Sequence, residues 1–197
     1  MTTPRRLSGA PIVGILLAAG SASRFGGAKL LATLPDGTML GVAALRNLLA
    51  AVDSVVAVVR PGDDTLASAL KAGGARVTVC PNAGDGMGAS LAWGVRGAPL
   101  AAGWLIALAD MPWIQPATIK RVADAVSGGA AMVAPQHTGA RGHPVGIAAR
   151  FYAELAALSA DEGARRLVTA HTASLQLIVV DDAGVLRDID TLADLVP

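Results

Sequence analysis

The chain has a single cysteine, Cys80, in 197 residues. An intrachain disulfide is therefore excluded, a reducing, cytoplasmic setting is expected, and Cys80 itself, at the end of a β-patterned run, reads as a small core residue. Charge is scarce and balanced: 16 Lys and Arg face 15 Asp and Glu, for a net charge of +1. No basic cluster stands out beyond Arg5-Arg6, so the positive field of a polynucleotide-binding surface is missing. Long hydrophobic runs are missing too. The chain is 53% hydrophobic, but its runs break at Gly, Pro or charge well before the ~20 residues of a membrane span. The start, MTTPRRLSGAP, carries two arginines but leads into a strand-length apolar run without a cleavage-type tail, so no signal peptide is expected. There is no linker, low-complexity tract or internal repeat. The length fits one domain, able to bury roughly 70% of the surface its unfolded chain would expose.

Two common nucleotide loops are absent as well. A Walker A loop requires Ser or Thr after its lysine, and Lys29 is followed by Leu30. The dinucleotide fingerprint G-x-G-x-x-G fails because Ala22 stands two residues after Gly20. What is present at 16–31 is LLAAGSASRFGGAKLL, an apolar run that breaks into a glycine-rich loop with one arginine and one lysine. Gly20, Gly26 and Gly27 let backbone N–H groups converge on an anion, and Arg24 and Lys29 add charge. The alternative is an ordinary strand-to-helix turn whose Arg and Lys are merely solvated.

Strand-like runs at 12–18, 54–59, 76–80, 104–109, 131–134 and 175–180 alternate with helical patterns at 39–51, 63–72, 88–95, 116–126 and 161–170. Such alternation indicates βαβ units and a mainly parallel sheet with right-handed crossovers. Asp63-Asp64 marks one helix start and Gly73-Gly74 its end. The segment 135–149 is less regular and has room for an antiparallel excursion. The run 12–18 is apolar on both parities, as in a strand buried on both faces, which sets the glycine loop at a strand's carboxyl end, where open α/β sheets bind ligands.

The second apolar run with a polar end is WLIALADMP at 104–112. In a parallel sheet, Asp110 then lies on the same edge as the glycine loop, placed to hold Mg²⁺, or alternatively to cap the helix that begins at Pro116. Near the C-terminus, Asp188 and Asp190 alternate around Ile189 and project to one face if extended, offering a second metal ligand. Asp190-Thr191 reads equally well as a helix N-cap with Asp194 in the acidic role of a capping box. GMGASL at 86–91 sets Gly86, Met87 and Ser90 at a helix start, where free N–H groups receive a base or an anion, unless it is only a tight turn. RGHPVG at 141–146 brings Arg141 and His143 together in a way that suits a second anionic substrate, although His143 also reads as a loop histidine with its partners satisfied. DEGARR at 161–166 reads first as surface ion pairing.

In this order, LAAGSASRFGGAKLL, GMGASL, LADMP, RGHPVG, DEGAR and DIDT resemble the molybdenum cofactor nucleotidyltransferases of the MobA-like NTP-transferase family, and most closely its cytidylyltransferase branch. The resemblance covers nearly the whole chain. It implies one domain over residues 1–197, a three-layer α/β/α fold with a mostly parallel Rossmann-like sheet of the nucleotide-diphospho-sugar transferase (GT-A-like) type. It also implies transfer of a nucleoside monophosphate to molybdopterin-bound molybdenum with release of pyrophosphate, dependent on Mg²⁺, with Mn²⁺ as a substitute. CTP users in that family read Leu-Ala-Ala-Gly in the first loop and GTP users Leu-Ala-Gly-Gly; Leu17, Ala18, Ala19 and Gly20 match the former, with Ser21 following. The resemblance assigns nucleotide binding to these residues, to Arg24 and Lys29, and to Gly86, Met87, Ser90 and Asp110, with Arg24, Lys29 and Asp110 as the catalytic residues. Acceptor binding falls to Arg141, His143 and Asp161, and metal binding to Asp110 and Asp190. A molybdoenzyme or its maturation factor would be a transient partner. Two positions depart from the family pattern: Phe25 replaces a common Met, and Ala160 replaces the Gly that usually precedes Asp161. Transfer to a sugar phosphate or methylerythritol phosphate, use of GTP, and a non-catalytic cofactor-delivery role are the alternatives.

Overall fold

A computed structural model of the chain describes residues 9–20, 25, 28–160 and 163–195. Among the described residues eight strands form one sheet: β1 (Ile12–Leu17), β2 (Ser54–Val59), β3 (Arg76–Val79), β4 (Gly103–Leu108), β5 (Met132–His137), β6 (Ala140–Arg141), β7 (Val145–Ala148) and β8 (Leu175–Val179). The helices are α1 (Leu40–Leu49), α2 (Asp64–Ala72), α3 (Met87–Arg96), α4 (Pro116–Ser127), α5 (Tyr152–Ala156) and α6 (Gly163–Ala170). The strand order is β3-β2-β1-β4-β7-β5-β6, with β8 also pairing β5. Strands β1 to β4 are mutually parallel, β7 runs antiparallel to both β4 and β5, and β8 is parallel to β5.

The architecture follows from the apolar patterning. Every residue of β1 is buried, because helices cover both faces of the sheet. Leu16 and Ala18 pack into one core with Leu45 and Leu48 of α1, Leu66 and Leu70 of α2, and Ile119 and Val122 of α4. Ile15 and Leu17 point the other way, into a second core with Leu91 and Val95 of α3, Leu155 of α5 and Leu167 of α6. The result is the expected three-layer α/β/α fold with a mostly parallel sheet. Cys80 is buried in the second core. No helix among the described residues is long and apolar enough to cross a membrane.

All six expected strands are present, and 135–149 contains the antiparallel excursion as β6 and β7. The β5–β6 hairpin turns through Thr138 and Gly139, both at positive φ. Helix α5 was not expected, since five residues are too few to show a helical period. The helix expected at 161–170 is α6, and residues 161–162 lie outside the described residues. Asp63 does sit at the N-cap of α2, but it makes no cap hydrogen bond, because its carboxylate accepts from Arg60 Nε instead. Gly73-Gly74 ends that helix as expected: Gly74 has φ +100, and the Ala75 N–H closes back to the Leu70 carbonyl.

One further feature positions the site. After β8 the chain runs back across the carboxyl end of the sheet. Along that path His143 N–H donates to the Val185 carbonyl and Ile189 N–H to the Asp110 carbonyl. Glycine is required at two contacts of this segment. A Cβ on Gly142 would lie 2.4 Å from the Val185 oxygen, and one on Gly184 would lie 2.3 Å from the Trp113 oxygen.

Candidate active site

Three charged side chains meet at the carboxyl ends of β1 and β4. Lys29, on a short 3₁₀ turn (Lys29–Leu31), is 8% exposed, and its ammonium donates to Asp110 Oδ2 at 2.7 Å. Asp190 Oδ1 lies 3.6 Å from the same Nζ. Asp110 is therefore not a helix cap; the N-cap of α4 is Gln115. At the C-terminal turn, Asp194 Oδ2 accepts the N–H groups of Asp190 and Thr191 and the Thr191 hydroxyl. These bonds from Thr191 and Asp190 hold the Asp194 carboxyl below its ordinary pKa. The capping role thus falls on Asp194, and the Asp190 carboxylate faces Lys29. Two hard carboxylate oxygens converging on one cationic centre are the donor set Mg²⁺ or Mn²⁺ takes when substrate phosphates and water complete its shell. No cluster of three or more His, Cys, Asp or Glu side chains able to hold a metal alone occurs among the described residues.

Beside this triad opens a cleft of about 520 Å³, lined by Leu17, Ala19, Gly20, Lys29, Gly86, Met87, Ser90 and Asp110 together with Arg60, Ala83, Gly84 and Leu108. Gly86 is the N-cap of α3 at φ +119, a conformation L side chains rarely adopt. The first N–H groups of a helix lack intrahelical partners, so the start of α3 supplies donors to the cleft wall. Ser90 is buried one turn further on.

A second cavity, of about 260 Å³, adjoins the first and shares Leu17, Met87 and Leu108 with it. Arg141, His143 and Arg165 are its polar residues, set among Ile106, Val145 and Val168. His143 Nδ1 is buried with no hydrogen-bond partner among the described residues. Burial lowers the His143 pKa below the ordinary 6.5, and Arg141 adds to this. The Ile106 carbonyl and the carboxylates of Asp110 and Asp188 oppose it.

The structure thus brings Leu17, Ala19, Gly20, Lys29, Gly86, Met87, Ser90 and Asp110 to one cleft and Arg141 and His143 to the next. Ala18 lines neither: strand alternation turns it into the opposite core, where it is 1% exposed. Ser21, Arg24 and Asp161 lie outside the described residues. Phe25 packs on a small cluster of Leu34, Leu40, Ala43 and Ile189, so the aromatic ring fills an apolar site. Arg60 was missed by the sequence reading, and Arg165, read there as part of a surface ion-pairing cluster, lines the second cavity instead. Arg60 directly follows an apolar strand, as Asp110 nearly does, and the same strand-end signal would have found it. Asp182 was missed as well. It is 4% exposed and accepts the N–H groups of Gln115 (3.0 Å) and Gly184 (3.1 Å), which ties the loop after Asp110 to the returning chain.

Residues 14–175 match the MobA-like NTP transferase domain family. Among solved structures, the chain is similar to Rv0371c of Mycobacterium tuberculosis H37Rv, with 28% identity and a TM-score of 0.79 over 93% of this chain and 95% of that one. The complex of Rv0371c with manganese gives 27% identity and a TM-score of 0.78 at the same coverage. A nucleotidyl transferase from Methanothermobacter thermautotrophicus shares the fold at 22% identity, with a TM-score of 0.79 over 94% of each chain. Comparison with curated proteins gives no match. The chain belongs to the MobA-like NTP transferase domain family.

Proposed function

We propose that this MobA-like nucleotidyltransferase joins CMP, taken from CTP, to the terminal phosphate of the molybdopterin-bound molybdenum cofactor and releases pyrophosphate. The observation that carries the reading is the pair of adjoining cavities with Leu17, Met87 and Leu108 as their common wall. One holds the Lys29–Asp110 pair and the other Arg141, His143 and Arg165, a natural division between a nucleotide and an anionic acceptor. The specific nucleotide and acceptor follow from the family resemblance of Leu17-Ala18-Ala19-Gly20 and of the RGHPVG segment.

An oxygen of the acceptor phosphate attacks the α-phosphorus of CTP in line, the bond from that phosphorus to the bridging oxygen breaks, and pyrophosphate leaves with the electron pair. No protein nucleophile is required. Catalysis rests on positioning and on neutralising charge spread over the phosphate oxygens. Lys29, held by Asp110, supplies a fixed positive charge in the first cavity, and Arg24 serves the same phosphates. Arg141 and Arg165 hold the acceptor's anionic group, with Asp161 as a further acceptor contact. Asp110 and Asp190 would hold a divalent cation, and the manganese complex of Rv0371c, a structure this chain is similar to, supports the use of such a metal. Bound there, Mg²⁺ or Mn²⁺ supplies charge neutralisation at the phosphates. A molybdoenzyme would be the recipient of the product.

A pyrophosphate-release assay tests the reading directly, with CTP or GTP paired in turn with molybdopterin cofactor, a sugar phosphate and methylerythritol phosphate. Release with CTP and the molybdopterin cofactor alone is the expected result. Release with another pair instead assigns a different substrate.

A further inference from the structure

Arg60 is the first residue beyond β2, and it lines the nucleotide cleft. Sheet register fixes its surroundings. Leu17 pairs with Val58 on one side and with Leu108 on the other. The residues two positions further on, Arg60, Ala19 and Asp110, therefore follow three adjacent strand ends, with Ala19 in the middle. The ladder extends toward them, since Ala18 N–H donates to the Val58 carbonyl and Ala109 N–H to the Leu17 carbonyl. Adjacent strands lie about 4.8 Å apart, so Val58 and Leu108, the residues paired with Leu17, are separated by about 10 Å, two strand spacings, and Arg60 and Asp110 follow them at opposite sides of the mouth of the cleft. With phosphate chemistry at Lys29 and Asp110, the far side, at Ala19 and Arg60, is left for the nucleoside.

The guanidinium is oriented for recognition. Its Nε donates to Asp63 Oδ2 at 3.0 Å, while its two Nη groups have no partner among the described residues. Asp63 occupies the N-cap of α2 without capping it, so a residue well suited to stabilise the helix instead fixes Arg60.

We infer that Arg60 reads the base of the nucleotide, its two Nη groups donating to N3 and O2 of cytosine. This rests on the reading of the cleft as a CTP site. A guanidinium only donates, in a planar fork suited to two adjacent acceptors. Cytosine presents such a pair at N3 and O2, whereas uracil carries an N–H at position 3 and guanine carries donors on the corresponding edge. The guanine edge that would satisfy the fork, N7 and O6, belongs to a larger base, for which the Ala19 methyl leaves less room than glycine would.

The test is calorimetric titration of CTP, UTP and GTP, each with Mg²⁺, into the full chain and its Arg60→Met, Arg60→Lys and Asp63→Asn variants. Arg60→Met is expected to weaken CTP roughly 10- to 100-fold, the value of a bidentate base contact, while UTP and GTP change little. Its effect on turnover should appear in KM for CTP and not in kcat. Arg60→Lys, which keeps the charge but not the fork, should also lose the CTP preference, and Asp63→Asn should shift it in the same direction by less. An unchanged melting temperature shows that Arg60→Met folds. Equal weakening of all three nucleotides would mean that Arg60 serves the phosphates, and unchanged CTP affinity would mean that it only pairs with Asp63; either result overturns the inference. A wild-type protein that binds none of the three, or prefers GTP, overturns the CTP reading itself before any variant is made.

Discussion

Lys29 and Asp110 stand 81 positions apart in the chain, yet their side chains meet at 2.7 Å on the carboxyl edge of the sheet. The pair joins the glycine loop after β1 to the strand end of β4 and draws in Asp190 from the C-terminal turn. Asp110→Asn keeps the size of the side chain and removes its charge. Turnover measured by pyrophosphate release should drop by about 10²–10³, as on loss of a key electrostatic group, with the melting temperature nearly unchanged. Near-normal turnover would remove Asp110 from the reaction.

Ala19 sits on the strand-end row between Arg60 and Asp110, and its methyl forms part of the cleft wall. Ala19→Gly installs the Leu-Ala-Gly-Gly pattern of the GTP users in the family, in place of the Leu-Ala-Ala-Gly pattern by which this chain resembles the CTP users. The expected result is a narrower ratio of CTP to GTP in kcat/KM, driven mainly by improved use of GTP. One methyl group commands roughly a 10-fold discrimination at most sites, so a change of that order is anticipated. Equal affinities for the two nucleotides in the wild type would defeat the idea at the outset.

The fold was legible because its signal is redundant: β1, β2 and β4 are apolar on both parities and are separated by helical patterns that end in Gly or charge. The hairpin return through β6 and β7 was harder to read, since β6 has only two residues and Pro135, Gly142 and Pro144 interrupt the alternation. The place where the charged side chains meet was legible wherever a polar residue breaks an apolar run, as at Lys29 and Asp110. Asp182 illustrates what was not. Its role depends on Gln115, 67 positions away, and nothing local in VVDDAG separates it from an ordinary turn aspartate.

Among the described residues, two other than glycine adopt left-handed backbone, Thr138 at φ +47 and Ala160 at φ +55. The family resemblance expects Gly where Ala160 stands, and the backbone conformation there explains why. For an L residue this conformation costs on the order of 1–2 kcal/mol, most severely when the side chain is β-branched. Thr138→Asn suits the two-residue hairpin turn it forms with Gly139 and should stabilise the fold by about 1 kcal/mol. Ala160→Gly should gain less, about 0.5 kcal/mol, because glycine adds entropy to the unfolded chain. Thermal unfolding should register the first as a rise of about 2–4 °C. A lower melting temperature for Thr138→Asn would contradict the left-handed assignment.

Asp182 holds the loop after Asp110 and the returning chain in register by accepting two N–H groups, one on each carboxylate oxygen. The loop is also gripped from α1, where Asn47 Nδ2 donates to the carbonyls of Pro112 (2.8 Å) and Ile114 (3.1 Å). Asp182→Asn retains one acceptor and turns an NH₂ group toward a buried N–H donor. Leaving such a donor unsatisfied costs about 1–3 kcal/mol, so the melting temperature should fall by several degrees. Because Ile189 N–H bonds the Asp110 carbonyl and the next residue is Asp190, loosening this clamp also disturbs how the two carboxylates face Lys29. The variant should therefore lose kcat at temperatures where it is fully folded, with KM for CTP changed little, since the clamp lies on the side of Asp110 away from Arg60. Lowered stability with unaltered kcat would confine Asp182 to a structural role, and an unaltered melting temperature would show that the two hydrogen bonds contribute nothing.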